Sequence, residues 1–471
     1  VDRNLETDVR RLNQILGKIL SHATQFLQGL NQRPVGVMPA NYDIASLPKE
    51  GIGTEKALEA FNNKYGAGIT ASIGPRYLGF VTGGSTPAAI AGDWLVSIFD
   101  QNVIGAKDSS APEVERETIS FLRQLFQISD SHSGTFVSGA TMSNFVGLAL
   151  ARQWIAQQLK IDITHHGLYA LPAIKIFSGS PHSCISKAVS MLGMGKSNLQ
   201  IVPCLPEREA IDLDELTKNL SRCQEPCIVV ANAGTVNTGD FDDLMGIAAL
   251  KQEFNFWLHV DAAFGGFAAC SPQYCHLVQG LDAADSIAID AHKWLNVPYD
   301  SAMQFTRHRN LQLEVFQNNA AYLGVPAENP DFVHLTPENS RRFRALPAWF
   351  SLIAYGAQGY RDIVETNCEL AQLLGKKIKN SRDFKLLAPV RLNVVCFTLS
   401  VDGQEIRLDT IEKFLEKLHD SGKVFLTPTV YGSVPAIRAA FSNWRTQQID
   451  VQILWEALSE TMSSFKDSVM Q

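Results

Sequence analysis

The chain lacks the features that would mark a membrane protein, a disulfide scaffold or a nucleic-acid binder. No uninterrupted apolar stretch reaches the roughly 20 residues that a spanning helix needs. Cysteine is sparse, with 8 in 471 residues. Several cysteines sit in apolar surroundings such as Val395-Cys396-Phe397, so reduced thiols are expected. Charge is nearly balanced: 41 basic against 48 acidic residues leave −7, with a pI near 5.9. Neither nucleic acid nor an anionic membrane is therefore an expected partner. Internal repeats and low-complexity linkers are missing too. The opening Val1-Asp2-Arg3-Asn4-Leu5-Glu6 is charged instead of apolar, which makes the cytoplasm the expected compartment. Cys223, Cys227, Cys270, Cys275 and His276 can be drawn as a zinc set, but Cys227 enters the apolar run Ile228-Val229-Val230. No metal site is expected.

What is present describes a globular α/β protein. Hydrophobic residues make up 45 % of the chain and charged ones 19 %, enough apolar surface for a large core and more than one domain. Leu5, Val9, Leu12, Leu16, Ile19 and Leu20 recur at helical spacing, so residues 1–70 are expected to form a helical N-terminal segment. From 71 to 340 short apolar runs alternate with helical stretches: Gly134-Thr135-Phe136-Val137, Ile174-Lys175-Ile176-Phe177, Ile228-Val229-Val230-Ala231, Phe256-Trp257-Leu258-His259-Val260 and Ile287-Ala288-Ile289. Such runs predict buried, mainly parallel strands of a large domain. Residues 341–471 read as a smaller C-terminal α+β domain.

Two strand ends carry the chemistry. Leu258-His259-Val260-Asp261-Ala262-Ala263 and Ile289-Asp290-Ala291-His292-Lys293-Trp294 put an acid and a lysine 32 residues apart (293 − 261), about one helix-containing crossover. In a parallel sheet both side chains then reach the same edge. A lysine amine can hold an aldehyde as a Schiff base, and a buried carboxylate can keep a pyridine nitrogen protonated. That combination is what pyridoxal 5'-phosphate requires.

At these residues the chain resembles the group II pyridoxal phosphate-dependent decarboxylases, the family of the glutamate and aromatic amino acid decarboxylases. The resemblance covers most of the chain and implies a type I aminotransferase-like fold: a large domain with a mainly parallel seven-stranded sheet, a small C-terminal domain, and a homodimer with interface active sites. It implies Lys293 as the cofactor lysine and Asp261 as the partner of the ring nitrogen, with Ala263 in the same motif. His182, in Ser178-Gly179-Ser180-Pro181-His182-Ser183, matches a histidine that stacks over the ring. Ser138-Gly139-Ala140-Thr141 follows a strand and opens a helix, a turn whose free N–H groups and dipole suit a phosphate, so Ala140 and Thr141 are expected there. Thr235, in the loop after the next strand, is the expected contact to cofactor or substrate, with a local turn hydroxyl as the competing role. Asp290 and His292 flank the lysine where the family binds phosphate. An aspartate beside an anion is unnatural, so Asp290 reaches it through water or positions His292.

The implied reaction is decarboxylation of an L-amino acid to an amine and carbon dioxide through a quinonoid intermediate, which needs a general acid. The family supplies a tyrosine from a loop before an Arg-Arg-Phe motif, matching Arg341-Arg342-Phe343 here, and counting back places Phe332 near that position. Tyr322 and His334 are other candidate donors. Phenylalanine at this position accompanies aldehyde formation in plant relatives, so an oxygen-dependent aldehyde synthase is the alternative; a non-catalytic binding protein of the same fold is the other. Arg76 is read as either a substrate-carboxylate contact or a structural ion pair. Tyr77, Phe80 and Trp94 are read as either pocket or core aromatics.

Overall fold

In the computed structural model, residues 2–36, 41–105, 109–318, 330–400 and 405–469 are described. The large sheet is built from β1 (Ser133–Val137), β2 (Ile176–Ser178), β3 (Leu199–Ile201), β4 (Cys227–Asn232), β5 (Phe256–Asp261), β6 (Ser286–Asp290) and β7 (Ala302–Thr306). Its strand order is β1-β7-β6-β5-β4-β2-β3. β7 runs antiparallel to both neighbours, and the remaining pairs are parallel. β4, β5 and β6 are buried at every position, because helices cover both faces of the sheet. The helix Ala140–Gln158 is buried along most of its length, from Ser143 to Ala156, and packs across β6, β7 and β5.

Asn232, Asp261 and Asp290 are the last residues of β4, β5 and β6, and the register sets Asn232 beside Asp261. Polar side chains thus emerge together where the apolar strands stop. This carboxyl edge is where ligands bind in open parallel sheets.

A second sheet of β8 (Phe384–Leu386), β9 (Val394–Leu399), β10 (Thr427–Tyr431) and β11 (Val434–Ala440) is antiparallel throughout, in the order β10-β11-β9-β8. Its core contains Phe397, Phe414, Phe441 and Leu454. The helix Ala345–Lys379, interrupted at Gly356 where φ is +60°, runs from one core to the other. One detail differs from the sequence reading. Arg76 and Leu78, placed there in the large domain, pack on the C-terminal one: Leu78 joins its core, and its N–H donates to the Phe425 carbonyl.

The N-terminal helices Arg3–Arg10 and Leu12–Gln28 leave Leu5, Val9, Leu12, Leu16 and Leu20 exposed. No described helix is long and apolar enough to cross a membrane.

Candidate active site

At the carboxyl edge lies a cavity of about 290 Å3, lined in part by Ala140, Thr141, His182, Thr235, Asp261, Ala263, Asp290, His292 and Lys293. These residues come from five separate segments of sequence, and the fold brings them all to one place. Lys293 stands in the short helix Ala291–Trp294 that follows β6. The chain wraps closely behind it: a Cβ added at Gly83 would lie 1.5 Å from the Lys293 carbonyl oxygen. Lys293 Nζ is 3.0 Å from Asp290 Oδ2 and 5.8 Å from the centre of the Phe264 ring. Burial pulls the lysine pKa down, but Asp290 and Asp261 outweigh it, and the net direction is upward.

Asp261 is held by both oxygens. Oδ1 accepts from the Ala263 N–H at 3.2 Å, and Oδ2 accepts from Asn144 Nδ2 at 3.1 Å. His182 caps the helix Ser183–Met191, its Nδ1 accepting from the Cys184 N–H at 3.3 Å, and still faces the cavity. The capping and cavity roles coexist. Burial lowers the His182 pKa, partly opposed by Asp261, so the ring is neutral near pH 7. His292 is also lowered, first by burial; its Nδ1 accepts from the Ser301 N–H at 3.2 Å, and its ring lies 4.3 Å from that of Tyr299.

Several expectations need correction. Ala140 N–H already donates to Asp290 Oδ1 at 2.7 Å, so Asp290 is itself the anion at this helix start. The Thr235 hydroxyl donates to Glu209 Oε2 at 2.5 Å and accepts from the Asp240 N–H at 2.9 Å, which makes it a loop clamp with no free hydrogen for a ligand. Arg76 pairs with Asp450 at 3.1 Å, which is the structural ion pair of its two readings, and it does not line this cavity. Tyr77 stacks on Phe425 at 4.7 Å, and Trp94 does not line the cavity, whereas Phe80 does.

The proton-donor candidates are also displaced. Phe332 is 3 % exposed, with its ring 4.8 Å from the Arg341 guanidinium and 5.3 Å from that of Arg116. Arg341 in turn forms a buried ion pair with Glu115 at 2.7 Å. Cation–π packing against both guanidinium groups thus holds Phe332 in the core, and it does not line the cavity. His334 is buried, and its Nδ1 accepts from the Asn318 N–H. Tyr322 lies outside the described residues.

Among the cavity residues that sequence reasoning did not assign are Cys184, Phe264, Tyr299 and Arg438. Arg438 had a visible signal, a cation inside the apolar strand β11. Its guanidinium donates to the carbonyls of Val236 at 2.8 Å and Gly79 at 3.1 Å, while Nε has no partner among the described residues. His182, Cys184 and Asp261 also form the one metal-like cluster among the described residues. The Cys184 thiol is pushed up to about 12, first by burial and then by Asp261, so it stays protonated and is a poor metal ligand. Cys223 and Cys227 belong to no such cluster.

The donor set fits pyridoxal phosphate. An amine, a carboxylate held by Ala263 and Asn144, a flat neutral imidazole and a helix start that already binds a carboxylate oxygen converge on one space. The model of the pyridoxal-dependent decarboxylase conserved domain matches residues 43–400. The chain belongs to the pyridoxal-dependent decarboxylase family. An aromatic-L-amino-acid decarboxylase of Bacillus atrophaeus is 27 % identical over 98 % of each chain, and a 4-hydroxyphenylacetaldehyde synthase of Rhodiola rosea is 26 % identical over 97 % of this chain and 96 % of that one. Among solved structures, Oryza sativa TDC with PLP and tryptamine superposes with a TM-score of 0.88 at 22 % identity, covering 97 % of this chain and 98 % of the other. The glutamate decarboxylase domain of a Vibrio parahaemolyticus protein gives 0.81 at 21 %, covering 95 % and 96 %. At these identities the superpositions establish the type I fold and leave the substrate open. As a family member the chain is a pyridoxal phosphate-dependent carboxy-lyase that converts an L-amino acid to an amine and carbon dioxide.

Proposed function

We propose that this decarboxylase acts on aromatic L-amino acids and releases the amine. The observation that carries this reading is the cavity wall: Phe80, Phe264 and Tyr299 give apolar aromatic surface around Lys293. Arg438, already holding two carbonyls, is assigned to the α-carboxylate that every amino acid carries, so it does not select an acidic side chain. The names of the similar decarboxylases support the same class.

When bound, the cofactor supplies an electron sink for the bond to the departing carboxylate. Lys293 is assigned to hold it covalently and Asp261 to face its ring nitrogen. His182 would cover the ring, while Thr141 and His292 are assigned to the phosphate end. Displacement of Asp290 from the Ala140 N–H would free a further phosphate donor. Orientation of the substrate carboxylate, set by Arg438 and His182, selects which bond breaks.

The aldehyde-synthase alternative keeps a similar relative in its favour, but its motive in this chain was Phe332, which is buried in the core. We also assign the chain to a homodimer, because the exposed Leu5, Val9, Leu12, Leu16 and Leu20 form an apolar face unsuited to water.

Steady-state assays on tryptophan, tyrosine, phenylalanine and glutamate test the substrate class. The expected kcat/KM for the best aromatic substrate exceeds that for glutamate by about hundredfold or more. Preference for glutamate would overturn the assignment.

A further inference from the structure

Behind Asp261, on the side away from the cavity, lies a buried chain of polar groups that the cofactor assignment does not use. Asn144 Nδ2 donates to Asp261 Oδ2 at 3.1 Å, and Asn144 Oδ1 lies 2.8 Å from His259 Nε2. His259 Nδ1 is 2.7 Å from Ser286 Oγ, which accepts from Trp257 Nε1 at 2.9 Å. Asn144, His259, Ser286 and Trp257 are all 0 % exposed.

The direction of every proton in this chain follows from donor and acceptor chemistry. An ionised carboxylate only accepts, so Asn144 must present its NH2 to Asp261 and its oxygen to His259. His259 Nε2 therefore carries the hydrogen. Nδ1 is left as an acceptor, and the hydroxyl hydrogen of Ser286 fills it, because the indole N–H of Trp257 already occupies the serine oxygen as a donor. The second amide hydrogen of Asn144 reaches Cys184 Sγ at 3.2 Å. His182 Nδ1 lies 2.8 Å from Cys184 Sγ, which is also 3.9 Å from Asp261 Oδ2, and Nδ1 accepts from the Cys184 N–H at 3.3 Å, which puts the His182 proton on Nε2.

The fold makes room for this arrangement. A Cβ added at Gly147, one turn beyond Asn144, would lie 2.7 Å from His259 Cε1 and 3.0 Å from Ser286 Oγ. Only a glycine lets the imidazole slide against the helix.

We propose that Asn144 is the positioning residue of this active site, locked by His259 in the one orientation that fixes the Asp261 carboxylate toward the ring nitrogen and, through Cys184, the tautomer of His182. The inference rests on the assignment of Asp261 to the ring nitrogen and extends it. Burial drives the His259 pKa down to about 4, so the ring stays neutral near pH 7, with Nδ1 an acceptor for Ser286 and its one N–H on the Nε2 that faces Asn144. The charged and titratable groups facing Asp261 are Lys293, His182 and Cys184, with Asp290 and Arg438 across the cavity and His259 behind. Lys293 and Arg438 are the cations among them.

A binding experiment separates positioning from simple structural support. Dissociation constants are measured for pyridoxal phosphate and for its deaza analogue, which has carbon in place of the ring nitrogen. Wild type is expected to prefer pyridoxal phosphate. Asn144→Leu should weaken pyridoxal phosphate about ten- to hundredfold, the range for losing a hydrogen bond to a charged group, and the deaza analogue by less than about threefold. Equal losses for both ligands would overturn the positioning role. Equal binding of both ligands by wild type would overturn the ring-nitrogen assignment and the inference with it. Should Asn144→Leu fail to fold, nitrogen NMR of [15N]histidine-labelled wild type still decides: His259 is expected as the Nε2–H tautomer, and an Nδ1–H tautomer would overturn the proposal.

Discussion

Lys293 Nζ and Asp290 Oδ2 lie 3.0 Å apart, and the same aspartate accepts from the Ala140 N–H at 2.7 Å through its other oxygen. Asp290 therefore stabilises the charged lysine and occupies the helix start at once. Only a neutral amine attacks an aldehyde. Removing the negative charge in Asp290→Asn lowers the lysine pKa, so cofactor attachment at pH 7 should be at least about tenfold faster, and its rise with pH should move to lower pH. Stopped-flow absorbance of apo-protein mixed with pyridoxal phosphate measures both. An unchanged pH profile would contradict the ion-pair account.

Asp261→Asn is expected to lose turnover by about hundredfold or more, since a neutral amide cannot stabilise a protonated ring nitrogen as a carboxylate does. Some cofactor should remain, because Lys293 and the phosphate contacts are untouched. Turnover per bound cofactor is the measurement, and a near-normal value would contradict the role of Asp261.

Burial of His259 gives the fold a pH dependence. Its folded pKa near 4 lies below the unfolded value of about 6.5, so the unfolded chain binds the proton more readily. The stability from keeping this ring neutral is fully present above pH 6.5 and is lost as pH falls toward 4. Between pH 7.5 and 5 it amounts to about 2 kcal/mol. Urea unfolding of apo-protein at the two pH values should show that difference shrinking by a similar amount in His259→Gln, whose side chain does not titrate. An identical pH dependence in the variant would refute the assignment.

Phe332→Tyr is expected to cost about 1–3 kcal/mol of stability, because a hydroxyl would enter a buried position packed against two guanidinium groups, which donate and cannot accept its hydrogen. Wild type and variant should both release amine, with or without oxygen. A shift of product from aldehyde to amine in the variant would show that this side chain reaches the reacting centre.

Local strings carried much of the site. His259-Val260-Asp261 and Asp290-Ala291-His292-Lys293 each end an apolar strand, so their convergence follows from a parallel sheet once the strands are recognised. The same alternation of apolar runs and helices made the large domain legible. Pairings across long separations were not. Asn144 and His259 are 115 residues apart, and Arg438 meets Val236 across 202, so nothing nearby in sequence announces either contact. Phe332 and the Thr235 hydroxyl were hard to place for a related reason: position in a motif located the backbone, but the ring had Arg341 and Arg116 to pack on, and the hydroxyl of Thr235, a residue that still lines the cavity, had Glu209 to satisfy it.

Lys293 is the residue on which the assignment of the cavity most directly depends. The holoenzyme, reduced with borohydride and digested, should yield a single peptide bearing the reduced cofactor on Lys293 by mass spectrometry, and Lys293→Ala should yield none. A cofactor adduct on another lysine of the wild-type protein would contradict the assignment of this cavity as the catalytic centre.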